Sequence, residues 1–152
     1  MAHSDANVPR VRTDRVIEID IGSALDFATP ADVLDFKCEI VTESHTDGEE
    51  QTARLSTQCG DVHVSPTDTT PDVKNFTLIY TDGETADLQP ALAAVKGNTV
   101  ALRDRPAGNA TGNRQFTTTG ILKKVSTPMP NNGAFAFSIT IEGPTVGSDI
   151  PA

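Results

Sequence analysis

Residues 134–142 read Ala134-Phe-Ala-Phe-Ser-Ile-Thr-Ile-Glu142. Phe135, Phe137, Ile139 and Ile141 alternate with Ala136, Ser138 and Thr140. Successive side chains of a strand point to opposite faces, so this spacing predicts a half-buried β-strand with its aromatic and isoleucine face inward. The turn residues Pro128-Met-Pro-Asn-Asn-Gly133 precede it, and a polar tail with Pro144, Gly147 and Pro151 follows. One such strand cannot bury its apolar face alone, so the rest of the chain has to supply the other walls of a core.

Working outward, the same period recurs. Residues 98–105 place Val100 and Leu102 inward, and residues 75–81 place Phe76, Leu78 and Tyr80 on one face. Residues 15–21 alternate Ile17, Ile19 and Ile21 with Glu18 and Asp20. Residues 34–42 alternate Leu34, Phe36, Cys38 and Ile40 with Asp35, Lys37 and Glu39. Residues 115–126 read as a longer strand whose phase breaks at Gly120, with Phe116 in one phase and Ile121 and Val125 in the other. An isolated glycine there predicts a bulge. One helix is expected. Pro90 is tolerated only in a first turn, Asp87 serves as N-cap, Gly97 is a left-handed stop, and Leu88, Leu92 and Val95 share a face.

The expected fold is therefore mainly β: a β-sandwich or rolled antiparallel sheet with one flanking α-helix. Three segments fall outside it. Residues 1–13 read as an N-terminal arm, 43–74 as a long polar loop within the domain 14–142 holding one short strand at 61–65, and 143–152 as a C-terminal arm. A loop of that length in a compact domain is usually functional.

Composition narrows the function classes. The 152 residues suit one domain that folds on a hydrophobic core without staples. Net charge is −9, with no Trp and one Tyr, which disfavours phosphate-backbone binding, base stacking and an aromatic sugar platform. No cationic segment followed by an apolar run opens the chain and no apolar stretch could cross a bilayer, so no membrane partner is expected. Cys38 and Cys59 read as reduced thiols of a cytoplasm, and His3, His45 and His63 as surface histidines without metal-ligand spacing. The residues 47–50, Asp-Gly-Glu-Glu, lack the spaced ligands and closing glutamate of a calcium loop. No nucleophile elbow, zinc-binding helix, phosphate-binding loop or dinucleotide fingerprint occurs, so no catalytic residue, metal or cofactor is expected.

Charge is unevenly distributed. Residues 16–95 hold sixteen carboxylates against three cations, while 96–126 hold Lys96, Arg103, Arg105, Arg114, Lys123 and Lys124 against Asp104 alone. This is either an ordinary solvated surface or a self-complementary subunit whose acidic part meets the basic part of the next copy.

Three stretches carry a resemblance. Leu88-Gln-Pro-Ala-Leu-Ala-Ala-Val-Lys-Gly97 sits between two strands. Phe116-Thr-Thr-Thr-Gly-Ile-Leu-Lys-Lys-Val125 then leads to Asn132-Gly-Ala-Phe-Ala-Phe-Ser-Ile-Thr-Ile-Glu-Gly143. With the long segment after the second strand, this arrangement resembles the major tail protein (tail tube subunit) of long-tailed bacteriophages, siphophage type, over most of residues 14–143. The resemblance implies a structural virion protein, assembled in the bacterial host cytoplasm. Its copies would form stacked rings, expected as homohexamers, into a tail tube. Arms and loop would grip neighbouring rings. DNA and the tape-measure protein would pass through an acidic lumen without specific binding, and other tail proteins would be partners. Glu18, Asp20, Asp35 and Glu39, on the outer faces of the first two strands, are the candidate lumen-facing carboxylates. Arg103, Arg105, Arg114, Lys123 and Lys124 are the candidate inter-subunit cations. The alternative is a capsid decoration protein or another non-enzymatic binding module. A carbohydrate-binding sandwich would need an exposed aromatic platform, for which the chain offers only Tyr80.

Overall fold

The computed structural model describes residues 14–48, 50–57, 59–69, 71–80 and 88–151. In chain order the strands are β1 (Val16–Asp20), β2 (Val33–Asp35), β3 (Ile40–Thr46), β4 (Glu50–Thr57), β5 (Gly60–Thr69) and β6 (Val73–Ile79). The helix α1 (Leu88–Ala94) follows, then β7 (Thr99–Arg105), β8 (Arg114–Val125), β9 (Met129–Asn131), β10 (Ala134–Glu142) and β11 (Thr145–Asp149). Among the described residues, nine strands form one antiparallel sheet along the path β2-β1-β7-β8-β10-β6-β3, with β9 on β10 and β11 on β8, while β4 and β5 make a separate hairpin.

The sheet is rolled. Phe36, just past β2 at one edge, packs edge-on against Phe76 beside the opposite edge, at 5.3 Å between ring centroids. The roll encloses the alternating residues: Ile17, Ile19, Phe76, Leu78, Val100, Leu102, Leu122, Phe137, Ile139 and Ile141 are all buried. Leu88 and Leu92 of α1 close one end, and Gly97 ends the helical segment at φ +88°, where a side chain would be strained.

β10 and β11 are one strand pathway with a kink. Glu142 lies opposite Ile121 and Thr145 opposite Thr118, the same register along the same side of β8, interrupted at Gly143 and Pro144. Gly120 faces that kink. A Cβ at Gly120 would stand 2.1 Å from the Glu142 carbonyl oxygen, and one at Gly143 would stand 2.2 Å from that of Thr119. Glycine is thus required at 120 by a close backbone approach, not by a bulge. The bulge is at Lys123, because Thr140 opposes Lys124 and Ile141 opposes Leu122. The inward phase of β8 accordingly runs Thr118, Gly120, Leu122, and Ile121 is turned outward.

Other expectations change as well. The strand expected over 34–42 is broken: β2 ends at Asp35, a 3₁₀ turn occupies Lys37–Glu39, and β3 starts at Ile40. This lets the chain cross from one edge of the roll to the other. The stretch 43–74 is not a loop; it holds most of β3, the β4–β5 hairpin and the start of β6. Residues 143–152 do not form a loose arm, since β11 pairs with β8 and Ile150 is buried. Phe135 has the inward parity but lies past the end of the core and is 53% exposed. The expected arm 1–13 and the N-cap Asp87 lie outside the described residues.

Candidate functional site

The end of the roll opposite α1 is closed by ions. Arg15, immediately before β1, donates from Nε and Nη2 to the two carboxylate oxygens of Asp104 on β7, at 2.9 and 2.7 Å. Its Nη1 donates to Glu43 on β3, at 2.6 Å. One planar guanidinium therefore spans two strands that are far apart along the sheet, a geometry a lysine could not reproduce. Burial opposes the charge on Arg15, but the bonds and charges of Asp104 and Glu43 outweigh it and raise its pKa. Burial likewise works to raise the Glu43 pKa, and the bonds from Arg15 and His45 more than offset it, so the carboxyl is held below its usual range. His45 Nε2 lies 2.9 Å from Glu43, and its ring stands edge-on to Phe76. Beside this clasp is a hollow of about 290 Å³ lined by residues that include His45, Asp47, Lys74, Leu102, Asp104 and Phe116. Asp72 ties the same end to β11 by accepting from the N–H groups of Gly48 and Thr145. Those bonds, the Gly48 bond foremost, lower its pKa.

The four candidate lumen carboxylates are not equivalent. Glu18 pairs across the β1–β7 ladder with Arg103, which donates to it at 3.0 Å and stacks over the Phe27 ring at 4.2 Å. Asp20 is buried, and its two oxygens accept from the N–H groups of Gly22 and Phe27, fixing the loop that follows β1. Asp35 is exposed on the edge strand β2, and Glu39 is half-buried in the 3₁₀ turn. Asp35 also accepts from the N–H of Lys37 at 3.1 Å, an exposed bond, so Glu18 and Asp20 are the two held most firmly by the subunit's own fold.

The candidate cations also divide. Arg103 is taken by Glu18. Arg105 is bonded to two neutral oxygens, of Gln115 and Asn109, and its pKa is lowered by burial first and by the charge of Arg103 second. Arg114 and Lys123 are exposed and reach Asp149 and Glu142 at 3.3 and 3.5 Å, while Lys124 borders a groove lined by Thr42, Ser44, Asn75, Thr77, Ser138 and Thr140. The sequence reading missed Arg15, whose partners are 28 and 89 positions away. It also missed the exposed apolar side chains Val41, Ile79, Met129, Phe135 and Val146. Single exposed apolar residues are ordinary, but Val41, Ile79 and Phe135 share the wall of one hollow of about 230 Å³.

Among the described residues, no three His, Cys, Asp or Glu side chains come together as a metal-binding set. The half-buried Tyr80 packs against the core, not outward as a sugar platform.

Among the described residues, the rolled nine-stranded antiparallel sheet with a separate hairpin and one α-helix is a tail-tube-like fold, like that of chains from contractile injection systems. A chain of the sheath–tube complex of an extracellular contractile injection system, PVC, in its extended state, superposes with a TM-score of 0.66 at 12% identity, covering 99% of each chain. A chain of the PVC sheath/tube terminator superposes at 0.63 with 10% identity, over 93% of this chain and 98% of that one. A chain of the tube-terminating cap of the anti-feeding prophage does so at 0.61 with 11% identity, over 94% and 93%. No protein-family model and no curated protein sequence matches the chain. The likeness is one of fold, and it is not specific to siphophages.

Proposed function

We propose that this chain is a non-catalytic structural subunit that repeats along the tube of a phage tail or phage-like injection particle. The observation that carries the reading is the match of the whole chain, end to end, to a chain of a sheath–tube complex. The finer reading, a siphophage tube of stacked hexameric rings enclosing the tape-measure protein and passing DNA within a virion, rests on the resemblance of the C-terminal strands. Repulsion between an acidic wall and phosphates would keep DNA from adhering. Asp35 and Glu39 are the nominated carboxylates with no internal role as strong as those of Glu18 and Asp20. The cations Arg105, Arg114, Lys123 and Lys124 are the nominated contacts to a neighbouring copy.

A second reading is a terminator that caps the tube once, favoured by the likeness to the PVC terminator and the prophage cap. A repeating subunit needs two complementary surfaces, whereas a cap needs one that meets the tube. Electron microscopy of the purified chain separates them. Tubes or stacked rings support the repeating subunit, single closed rings support the cap, and monomers or compact trimers support the decoration-protein alternative.

A further inference from the structure

The loop between β1 and β2 is held in an arrangement that is unfavourable on two counts. Leu25 and Phe27 have φ of 55° and 58°, in the left-handed region where a residue with a Cβ is strained. Neither is an asparagine or aspartate, whose short polar side chains tolerate that region. The ring of Phe27 lies over the Arg103 guanidinium, with Cζ 4.2 Å from the ring centroid. Nε of the same guanidinium is buried with no hydrogen-bond partner. A buried donor left unbonded costs more than an average hydrogen bond contributes.

Two contacts offset these costs. Asp20 accepts from the N–H groups of Gly22 and Phe27, at 2.8 and 2.9 Å, and the Phe27 ring stacks on a cation. The N–H of Ile21 donates to the Asp32 carbonyl at 3.0 Å and closes the neck of the loop. The β1–β2 ladder, from Glu18 opposite Asp35 to Asp20 opposite Val33, lies beyond that neck. Residues 22–31 can therefore move as a unit without parting the two strands. They cover charge. Arg103 and Arg105 alternate on one face of β7, and Arg105 is bonded only to the neutral oxygens of Gln115 and Asn109.

We propose that residues 22–31 are a lid that lifts from Arg103 while the sheet stays folded, exposing Arg103 beside Arg105. Lifting relaxes Leu25 and Phe27 and gives the Arg103 Nε–H to water. Closing restores the Asp20 bonds and the stack. Opposing contributions of this kind make local opening far easier than global unfolding. The lid goes beyond the tube reading and does not depend on it. It adds Arg103 to the cations open to a neighbouring molecule, but only in the lifted form.

Hydrogen exchange followed by NMR on the full chain tests the lid, because the Phe27 amide and the Arg103 Nε–H report its two sides. Each is expected to show protection at least about tenfold below that of the Ile139 amide, buried in β10. Leu25→Gly and Leu25→Ala both remove the leucine side chain, and only glycine relieves the left-handed strain. Glycine at 25 is expected to protect both reporters about three- to tenfold more than alanine does. Retained protection of Ile139 verifies folding. Should either variant lose it, Phe27→Ala replaces the pair, and there the Arg103 Nε–H is expected to lose its protection. Reporters that exchange only as slowly as Ile139 would mean that the loop opens only with the whole fold, and would overturn the lid. So would a Phe27 amide that opens while the Arg103 Nε–H stays protected, or equal protection with glycine and alanine at 25. In the replacement variant, a protected Arg103 Nε–H would do the same.

Discussion

The two ends of the roll are closed by opposite means. At one, α1 lays Leu88 and Leu92 over the core, an apolar lid whose strength comes from surface removed from water. At the other, Arg15 clasps Asp104 and Glu43, and the hollow beside it stays open. An apolar lid is indifferent to pH and little affected by salt. An ionic clasp depends on both, and its worth is the small remainder between attraction and desolvation. The chain thus has one end whose closure is fixed and one whose closure responds to its surroundings.

Truncation of the wall shared by both ends should cost most. Phe137 is buried at mid-strand, and Phe137→Ala is expected to destabilise the fold by about 3–5 kcal/mol. An unchanged melting temperature would mean that the inward face of β10 is misassigned. Leu92→Ala, at the apolar end, should cost about 2–5 kcal/mol, with little change across acid pH because Leu92 is buried in an apolar cluster.

At the ionic end, Arg15→Met should cost about 1–3 kcal/mol at neutral pH, less than the loss of a fully buried pair because the three side chains keep 11–24% of their exposure. The sign of the pH dependence follows from Glu43, which Arg15 bonds. Glu43 binds its proton more weakly folded than unfolded, so its contribution is present above the ordinary carboxylate pKa and is lost as pH falls through the depressed folded value. The penalty of Arg15→Met should therefore shrink in acid while that of Leu92→Ala does not. Denaturant melts of both variants across acid pH read the difference directly, and parallel profiles would mean that the clasp contributes nothing. Smallest of all, Arg114→Ala should change stability by less than about 0.5 kcal/mol, because its pair with Asp149 is mostly exposed.

The apolar end and the walls were legible from the sequence because period-2 runs such as Phe137-Ser-Ile-Thr-Ile141 state which face is buried. The same rule misplaced the phase of β8, whose inward positions before Leu122 are Thr118 and Gly120 and give no apolar signal. It found only residues 61–65 of β5 and missed β4, whose hairpin pairs outside the rolled sheet and carries a polar sequence. It read Phe135 as core because parity gives a direction but not where the core stops. The clasp was invisible for another reason: its three residues meet only after the sheet rolls, across separations no local pattern records. Of the candidate cations, sequence supplied the positions, and the structure supplied their partners.

The central claim is that many copies of this chain repeat along a tube. A reconstruction by electron microscopy of a tail or injection particle containing the chain tests it most directly, by showing where this rolled sheet occurs and how often. The expected result is the fold in every ring along the tube axis, with Asp35 and Glu39 toward the lumen. Density for the chain in a single ring at the tube's end, or only on a capsid surface, would contradict it.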